Sequence, residues 1–544
     1  MDGRTAAPNT ADAAEAGVSL VVNLTRLGDL LQSQALIADL HRRGRRVHLV
    51  CLENFAAAGA LLRHVERIWP LPGPRLLALL DRDWRLAAGD LLDWTRGLRA
   101  ATNPRELINL TTTLPARLLT RLLAGPDRPV RGFDLDAEGF GRNNGLWASF
   151  LNGTTAGRLN APFNLVDMFR MLGGPRGSAA AMRAGDAALR QPSPQAGEAA
   201  RALLAAAPAA AQGFVGLQLG ASEARRQWPV AHFAAVGDRL WRELRLCPVL
   251  LGAPGEVPLA GEYAALAAAP FCDAVGRTDL AQLAAVLAHM RLLITNDTGT
   301  MHLAAGLGLP SLALFLATAQ PWDTGPYLPG CCCLEPAMDC HPCPYNRPCP
   351  HGLACLKRIS PASVAALVLA WARTGRWEDA PLAQAGREAR IWLSERDADN
   401  FMDLRELAGR EREDRSLWMR QQRRFWRHIL DDMDRPTSTA LTSAAVPACS
   451  PSFVQEVGAA LEQAEGLLEA IAAQGALVGK SVRAGALLLR NCERLQLLLD
   501  GCAPLAALGG FWRELRQARG EQLTVFLQFS GRLAVYLRQW RANL

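Results

Sequence analysis

The sequence predicts an α/β fold: two successive mostly parallel sheets wrapped by helices, followed by an all-helical extension. Three observations carry that expectation. Short apolar runs alternate with helix-spaced segments from residue 18 onward, the pattern restarts near 213, and the composition turns charge-dense after about 376. A chain of 544 residues is also too long for one core.

The first seventeen residues, MDGRTAAPNTADAAEAG, have no basic region followed by an apolar one, so they read as a disordered tail and not a secretory signal. VSLVVNL (18–24) and VHLVCL (47–52) are continuous apolar runs suited to strands buried on both faces. DLLQSQALIADLHRRG between them has helical spacing and ends in basic residues and Gly44. ELINLT (106–111) and VRGFDLD (130–136) are weaker strands of the same unit, which spans 18–165. The join falls near 160–174 and the alanine-rich 178–211. In the second unit, 166–375, GFVGLQLG, CPVLLGA, FCDAVG, RLLITND and SLALF each lead into a turn or helix, and a cysteine-rich loop occupies 331–358. Residues 376–544 carry apolar residues at helical spacing and form the helical extension, interrupted by a Ser/Thr/Pro/Ala linker at 436–452.

Composition narrows the function. Half the residues are apolar and a fifth charged, as in soluble globular proteins. The net charge of +7 is mild for the length and argues against a nucleic-acid protein, while fitting anionic substrates or loose contact with an anionic membrane face. No apolar run reaches the roughly 18 residues of a membrane span. Cys51, Cys247 and Cys272 sit singly in apolar segments, as small core residues do, and the chain reads as cytoplasmic and reduced.

Two Rossmann-like units with a cleft between them bind ligands beyond the carboxyl ends of their strands. Four segments lie there. After LLITN, Asp297 and Thr298 can cap a helix, Gly299 allows close approach, and Thr300 and His302 lie in its first turn. A helix start of that kind suits phosphate, or is simply a capped helix with a surface histidine. Gly220 and Ser222 form a small turn before Arg226, whose fork also suits phosphate. Glu256 follows a strand and glycine turn, where an acid accepts bonds from ribose or favours a helix start. In the first unit Gly28-Asp29 follows the first strand, and Asp29 can act as general base or as helix cap. Arg26 beside it can bind acceptor phosphate or remain a surface arginine.

These residues, Asp-Thr-Gly-x-x-His-x-Ala-Ala after an apolar strand, Gly-Ala-Ser before Arg-Gln-Trp-Pro, and an early Leu-Gly-Asp, together resemble the ADP-heptose:lipopolysaccharide heptosyltransferases. Those are family 9 glycosyltransferases of the GT-B fold, and the resemblance covers roughly 18 to 375. It implies inverting transfer of a heptose from an ADP-sugar to a hydroxyl of lipopolysaccharide core or a related glycan, lipid-linked or free, without a catalytic metal. It implies Asp29 as base, Arg26 on the acceptor side, Arg226 on the donor phosphates and Glu256 on the nucleoside. The turn Asp297, Thr298, Gly299, Thr300 and His302, with Gly220 and Ser222, completes the implied donor site. Gln32-Ser33-Gln34 departs from the family, where many members have a proline, and leaves the acceptor open. The extension also lies outside the family core. Transfer to a protein hydroxyl, with the helices recruiting that protein, is therefore an alternative, as is a non-catalytic nucleotide-sugar-binding assembly protein. The cytoplasm, at the inner face of the inner membrane, is the expected location.

Cys340, Cys343, Cys349 and Cys355, spaced C-x2-C-x5-C-x5-C, are a candidate four-thiolate site for structural zinc or iron, or a loop of free thiols. The adjacent Cys331, Cys332 and Cys333 cannot all face one ion. WMRQQRRFWRH (418–428) mixes tryptophan with arginine, as a membrane or partner platform does, or as a helix packed on the core.

Overall fold

The computed structural model describes residues 17–155, 161–174, 183, 185–344, 347–433, 447–519 and 522–544. The predicted tail up to residue 16, and the linker from 436 to 446, lie outside the described residues.

The first sheet contains β1 (Val18–Val22), β2 (Arg46–Leu52), β3 (Val65–Leu71), β4 (Glu106–Asn109), β5 (Val130–Leu135) and β6 (Gly141–Asn144). Its order is β3-β2-β1-β4-β5-β6, parallel except for β6. Every residue of β1 is buried, as a central strand covered on both faces requires. The expected strands at 18–24, 47–52, 106–111 and 130–136 are all present, and β3 and β6 are additional. The expected first helix is two, Leu27–Leu31 and Gln34–Arg42, broken at Gln32 and Ser33.

The second sheet runs β14-β13-β12-β11-β10-β7-β8-β9. Its strands are β7 (Gly213–Gln218), β8 (Leu246–Leu251), β9 (Cys272–Asp273), β10 (Met290–Asn296), β11 (Ser311–Leu314), β12 (Cys332–Pro336), β13 (Ala389–Arg396) and β14 (Met402–Glu406). The strands from β9 to β12 are parallel, and β13 and β14 are antiparallel additions. Cys331, Cys332 and Cys333 are fully buried at and in β12, which excludes them as ligands of a loop metal. Each sheet reverses direction once, between β1 and β4 and between β7 and β10. Those two switch points are where ligands gather.

Within the extension, after the short helices Trp377–Asp379 and Leu382–Ala385, residues 389–406 form the β13–β14 hairpin, with Trp392 and Leu404 buried. The long helices begin at Asp414. The helix Asp414–Asp432 turns its tryptophans inward: Trp426 packs 4.6 Å from Phe150, and Trp418 stacks on Trp540. Arg423 is buried too, donating to Pro162 O and to Asp397. The tryptophan–arginine stretch is thus the joint between extension and core. No single described helix is long and apolar enough to cross a membrane.

The remaining helices, Pro451–Gly475, Val482–Gly501, Ala506–Arg519 and Leu523–Arg541, form a bundle. The third of them crosses the first unit's helix Leu146–Thr155 at Gly510 and Gly153, each so close that a methyl group on either would overlap the other's backbone. Glu514 reinforces the crossing by accepting from Asn143 (2.8 Å) and Asn152 (2.5 Å).

Asp167, on the helix Leu165–Gly173, ties three parts together. It accepts from Tyr327 Oη of the second unit (2.5 Å) and from Met402 N of the hairpin (2.9 Å), and lies 3.4 Å from Arg170. Burial raises its pKa above the usual carboxylate value, and the pull of Arg170 and Tyr327 offsets only part of that. Asp167→Ala removes the bonds from Tyr327 Oη and Met402 N and the contact with Arg170 in a buried joint, and should lower stability by about 3–5 kcal/mol. Urea unfolding followed by tryptophan fluorescence measures this. A midpoint equal to wild type would remove Asp167 from the joint.

Candidate functional site

At the β7/β10 switch point a buried amide organises the turns. Asn296 Oδ1 accepts from Trp228 N (3.0 Å), and its Nδ2 donates to Leu219 O (2.9 Å) and Gly220 O (3.2 Å). The turn after β7 and the turn after β10 are thereby fixed to each other. A second chain crosses the same edge: Thr300 Oγ1 donates to Gln218 Oε1 (2.9 Å), and Gln218 Nε2 donates to Glu256 Oε2 (3.2 Å). Glu256 Oε2 also accepts from Ala253 N (2.8 Å), as a helix-start glutamate does. A methyl group at Gly220 would overlap the Glu256 carboxylate, so only glycine lets turn and acid meet.

Arg226 is nearly buried and forms an ion pair with Asp297 through Nη2, while its Nη1 donates to Ser222 Oγ (3.3 Å). Its Nε is buried with no hydrogen-bond partner. Asp297 therefore holds an arginine and does not cap the helix, contrary to the expectation. Thr298 takes the cap position, but its side chain makes no cap bond to Gly299–Gly306. The first-turn N–H groups of that helix lack the side-chain acceptor that usually meets them.

The first unit meets this turn directly. Gly28 lies so near that a methyl group on it would fall 2.8 Å from His302 Cδ2, and the corresponding point on Gly299 is 3.5 Å from Gly28 N. Gln32, at the helix break, brings Nε2 to 3.5 Å from His302 Nε2. The departure from the proline pattern thus brings a polar side chain to His302. Sequence reasoning noted Gln32 without giving it a role.

Asp29 lies in the first turn of Leu27–Leu31, and Arg26, not Asp29, occupies the cap position. Asn23 Nδ2 donates to Asp29 O (3.2 Å) and steadies that turn. Asp29 lines an inter-unit cleft of about 140 Å³. The same cleft is lined by Thr111, Thr112 and Thr113 after β4, and by Asp323 and Thr324 from the second unit. Thr154 and Thr155, on the helix braced by the bundle, close one side. Arg26 is exposed and is not among the lining residues. The threonines and Asp323 were not foreseen. Their only sequence signal is position, at the ends of a strand and of a proline-started turn.

Residues 175–350 match the family model "Glycosyltransferase family 9 (heptosyltransferase)". The chain is 33% identical over 124 residues to lipopolysaccharide heptosyltransferase 1 of Pseudomonas aeruginosa, a match covering 23% of this chain and 34% of that protein. Residues 175–350 are thus similar to the family 9 glycosyltransferases. The chain's match spans about a third of the length of that curated relative. Among solved structures, the ADP-heptose lipopolysaccharide heptosyltransferase II of E. coli is 20% identical, with 64% of this chain and 96% of that one covered and a TM-score of 0.46. The iron-containing dodecameric glycosyltransferase TibC of enterotoxigenic E. coli is 11% identical, with 66% and 77% covered and a TM-score of 0.39.

The cysteine loop closes the described part of the matched region. Cys340, Cys349 and Cys355 are near enough to Cys343 to raise its pKa, an effect second to burial. Among the described residues, however, no group of three or more His, Cys, Asp or Glu is arranged to hold a metal ion. As arranged, the four thiols are neighbours and not a ligand set. His341 between them is buried against Glu335 and Arg415, and burial lowers its pKa to about 4.

The Arg226–Asp297 pair can be tested directly. Arg226→Ala leaves Asp297 as an unpaired buried carboxylate and should cost about 3–5 kcal/mol. The double variant Arg226→Ala/Asp297→Ala should recover much of that loss. Thermal melts of the three chains check it. Equal melting of single and double variants would mean the pair contributes nothing.

Proposed function

We propose that the chain is an inverting glycosyltransferase that moves a sugar, read as heptose from ADP-heptose, onto an acceptor hydroxyl. The observation that carries the reading is the meeting of the two switch points: an uncapped helix start beside Arg226 on one side, and Asp29 in a cleft on the other. Relatives named as lipopolysaccharide heptosyltransferases support the donor.

In this reading the donor diphosphate lies at the start of Gly299–Gly306, where N–H groups and the partial positive charge of the helix favour an anion. The partnerless Arg226 Nε would gain a phosphate oxygen, relieving an unmade bond that costs about 1–3 kcal/mol. Glu256 suits the ribose hydroxyls. Asp29 takes the proton from the acceptor hydroxyl as its oxygen bonds to the anomeric carbon. The bond from that carbon to the diphosphate breaks, and ADP leaves with the electron pair. The helix start and Arg226 stabilise the charge that develops on ADP, and because they are fixed before reaction they cost no reorganisation. Attack from the Asp29 side, opposite the leaving group, inverts the anomeric centre.

The acceptor is read as a hydroxyl of lipopolysaccharide core or a related glycan, with a protein hydroxyl as the second reading. All thirteen cysteines are free, which fits a reducing cytoplasmic setting, at the inner face of the inner membrane in this reading. Asp29→Asn should leave ADP binding by calorimetry unchanged and lower transfer about 10²–10⁴-fold. Full activity in that variant would return Asp29 to a structural role.

A metal in the cysteine loop would be structural and remote from this chemistry. It would require the four thiols to draw together on one ion and would add local folding energy. Elemental analysis with and without Cys340→Ser/Cys343→Ser measures it. Roughly one zinc or iron per chain, lost in the variant, supports the site. Metal-free protein with unchanged melting assigns four separate thiols.

A further inference from the structure

We propose that the outward face of the helix Val482–Gly501 is the contact through which two copies of this chain pair. The two helices run antiparallel about a two-fold axis at their middle, between residues 491 and 492. The inference concerns the extension and stands apart from the transferase reading.

This helix carries apolar residues on two sides. Its inner side, with Leu488, Leu495 and Leu499, is buried in the bundle. Its outer side leaves Val482 93% exposed, Leu489 61% and Leu497 74%. The outward positions 482, 486, 489, 493 and 497 follow one another at intervals of three or four residues, the spacing of a seam against another helix. The same side has room for a partner: a methyl group at Gly485 or Gly501 would meet no atom within 4 Å. Apolar groups gathered in this way on a surface mark a site of association.

The residues of that face select its occupant. A two-fold axis sets each position opposite the one equally far from the centre in the other copy. Val482 then falls opposite Gly501, and Leu497 opposite Ala486, a large side chain against a small one both times. Arg490 falls opposite Glu493, and Arg483 opposite Asp500, so both charged pairs are of opposite sign. Asp500 already accepts from Arg513 (2.9 Å), and Arg483 joins that cluster from the other copy. Leu489 meets the aliphatic stem of Arg494, whose Nη1 donates to Asn491 of its own helix (3.4 Å). Symmetry makes every one of these contacts twice. A lipid surface fits less well, because Glu493 stands between Leu489 and Leu497 and would enter the membrane boundary with no cation from the lipid side. A second copy brings Arg490 to it.

One face of a 20-residue helix is a small interface. Stable complexes bury about 1,200–2,000 Å², and a single helix pair lies at or below the low end of that range, so the pairing is reversible, with a Kd on the order of 10 µM.

Sedimentation velocity of the full chain, from about 1 to about 100 µM, should show monomer giving way to dimer. Leu497→Lys sets a charge against Ala486, and Glu493→Arg sets like charges opposite each other. Each should weaken pairing by about tenfold or more. Arg490→Glu/Glu493→Arg exchanges the two charges and keeps the pair, so it should return the Kd to within about threefold of wild type. All these positions are exposed, so the variants keep the fold, and thermal melts equal to wild type verify it. A chain that stays monomeric at the highest concentration would overturn the proposal. So would a dimer that Leu497→Lys leaves intact, or a double variant as weak as Glu493→Arg alone. Binding of phosphatidylglycerol vesicles by a chain that remains monomeric would assign the face to lipid instead.

Discussion

The contact between Gly28 and the Gly299–His302 turn is the constraint on which the arrangement depends. It joins the switch point of one sheet to that of the other, with only hydrogen on Gly28 to separate backbone from imidazole. Everything chemical in the molecule is placed relative to it. Asp29 is the next residue after Gly28, and His302 lies in the same helix turn whose start is open to an anion. A side chain at 28 would push the units apart and move Asp29 and the Gly299–His302 turn out of register. Gln32 adds a polar tie to the same histidine.

Around that contact the charges are sorted. Arg226 is fixed by Asp297 before any ligand arrives, and Asn296 locks the two donor-side turns through bonds to their backbones. The energy of ordering these groups is spent in folding and not during the reaction, which is how a preorganised site gains its advantage over water. On the opposite side the cleft depends on shape and on neutral hydroxyls.

Much of the fold was legible because buried parallel strands read as unbroken apolar runs, and β1, β2, β7, β8, β10 and β11 all do so. β3 was missed because VERIWPL is a half-exposed edge strand whose charges blur the pattern. β12 looked like a cysteine cluster, although Cys331, Cys332 and Cys333 enter a sheet interior where thiols serve as small apolar groups. The hairpin β13–β14 was read as helix because its outward charges are dense and its two-residue alternation is short. The residues around the β7/β10 switch point were legible as residue types on contiguous turns. The cleft lining was not: Thr111, Thr154 and Asp323 come from three distant elements and share no motif, so only the folded chain assembles them. The pairing of Arg226 with Asp297 was hidden for the same reason, since the sequence offered Asp297 as a helix cap or ligand contact and Arg226 as a phosphate contact.

The crossing at Gly153 and Gly510 carries a consequence for how the protein is made. Asn152 and its partner Glu514 are 362 residues apart. At about 5–20 residues per second, the wall of the cleft leaves the ribosome roughly 20–70 s before the helix that covers its back. For all of that interval Phe150 lacks its neighbours in the bundle, and for most of it Trp147 and Phe150 also lack Asp431 and Trp426 of Asp414–Asp432. The first unit therefore cannot finish folding as it emerges, whatever its local propensities. It must wait, apolar side uncovered, for the end of its own chain. Synthesis rate and chaperone supply, more than the strength of either sheet, would then govern how much of this protein reaches a working state.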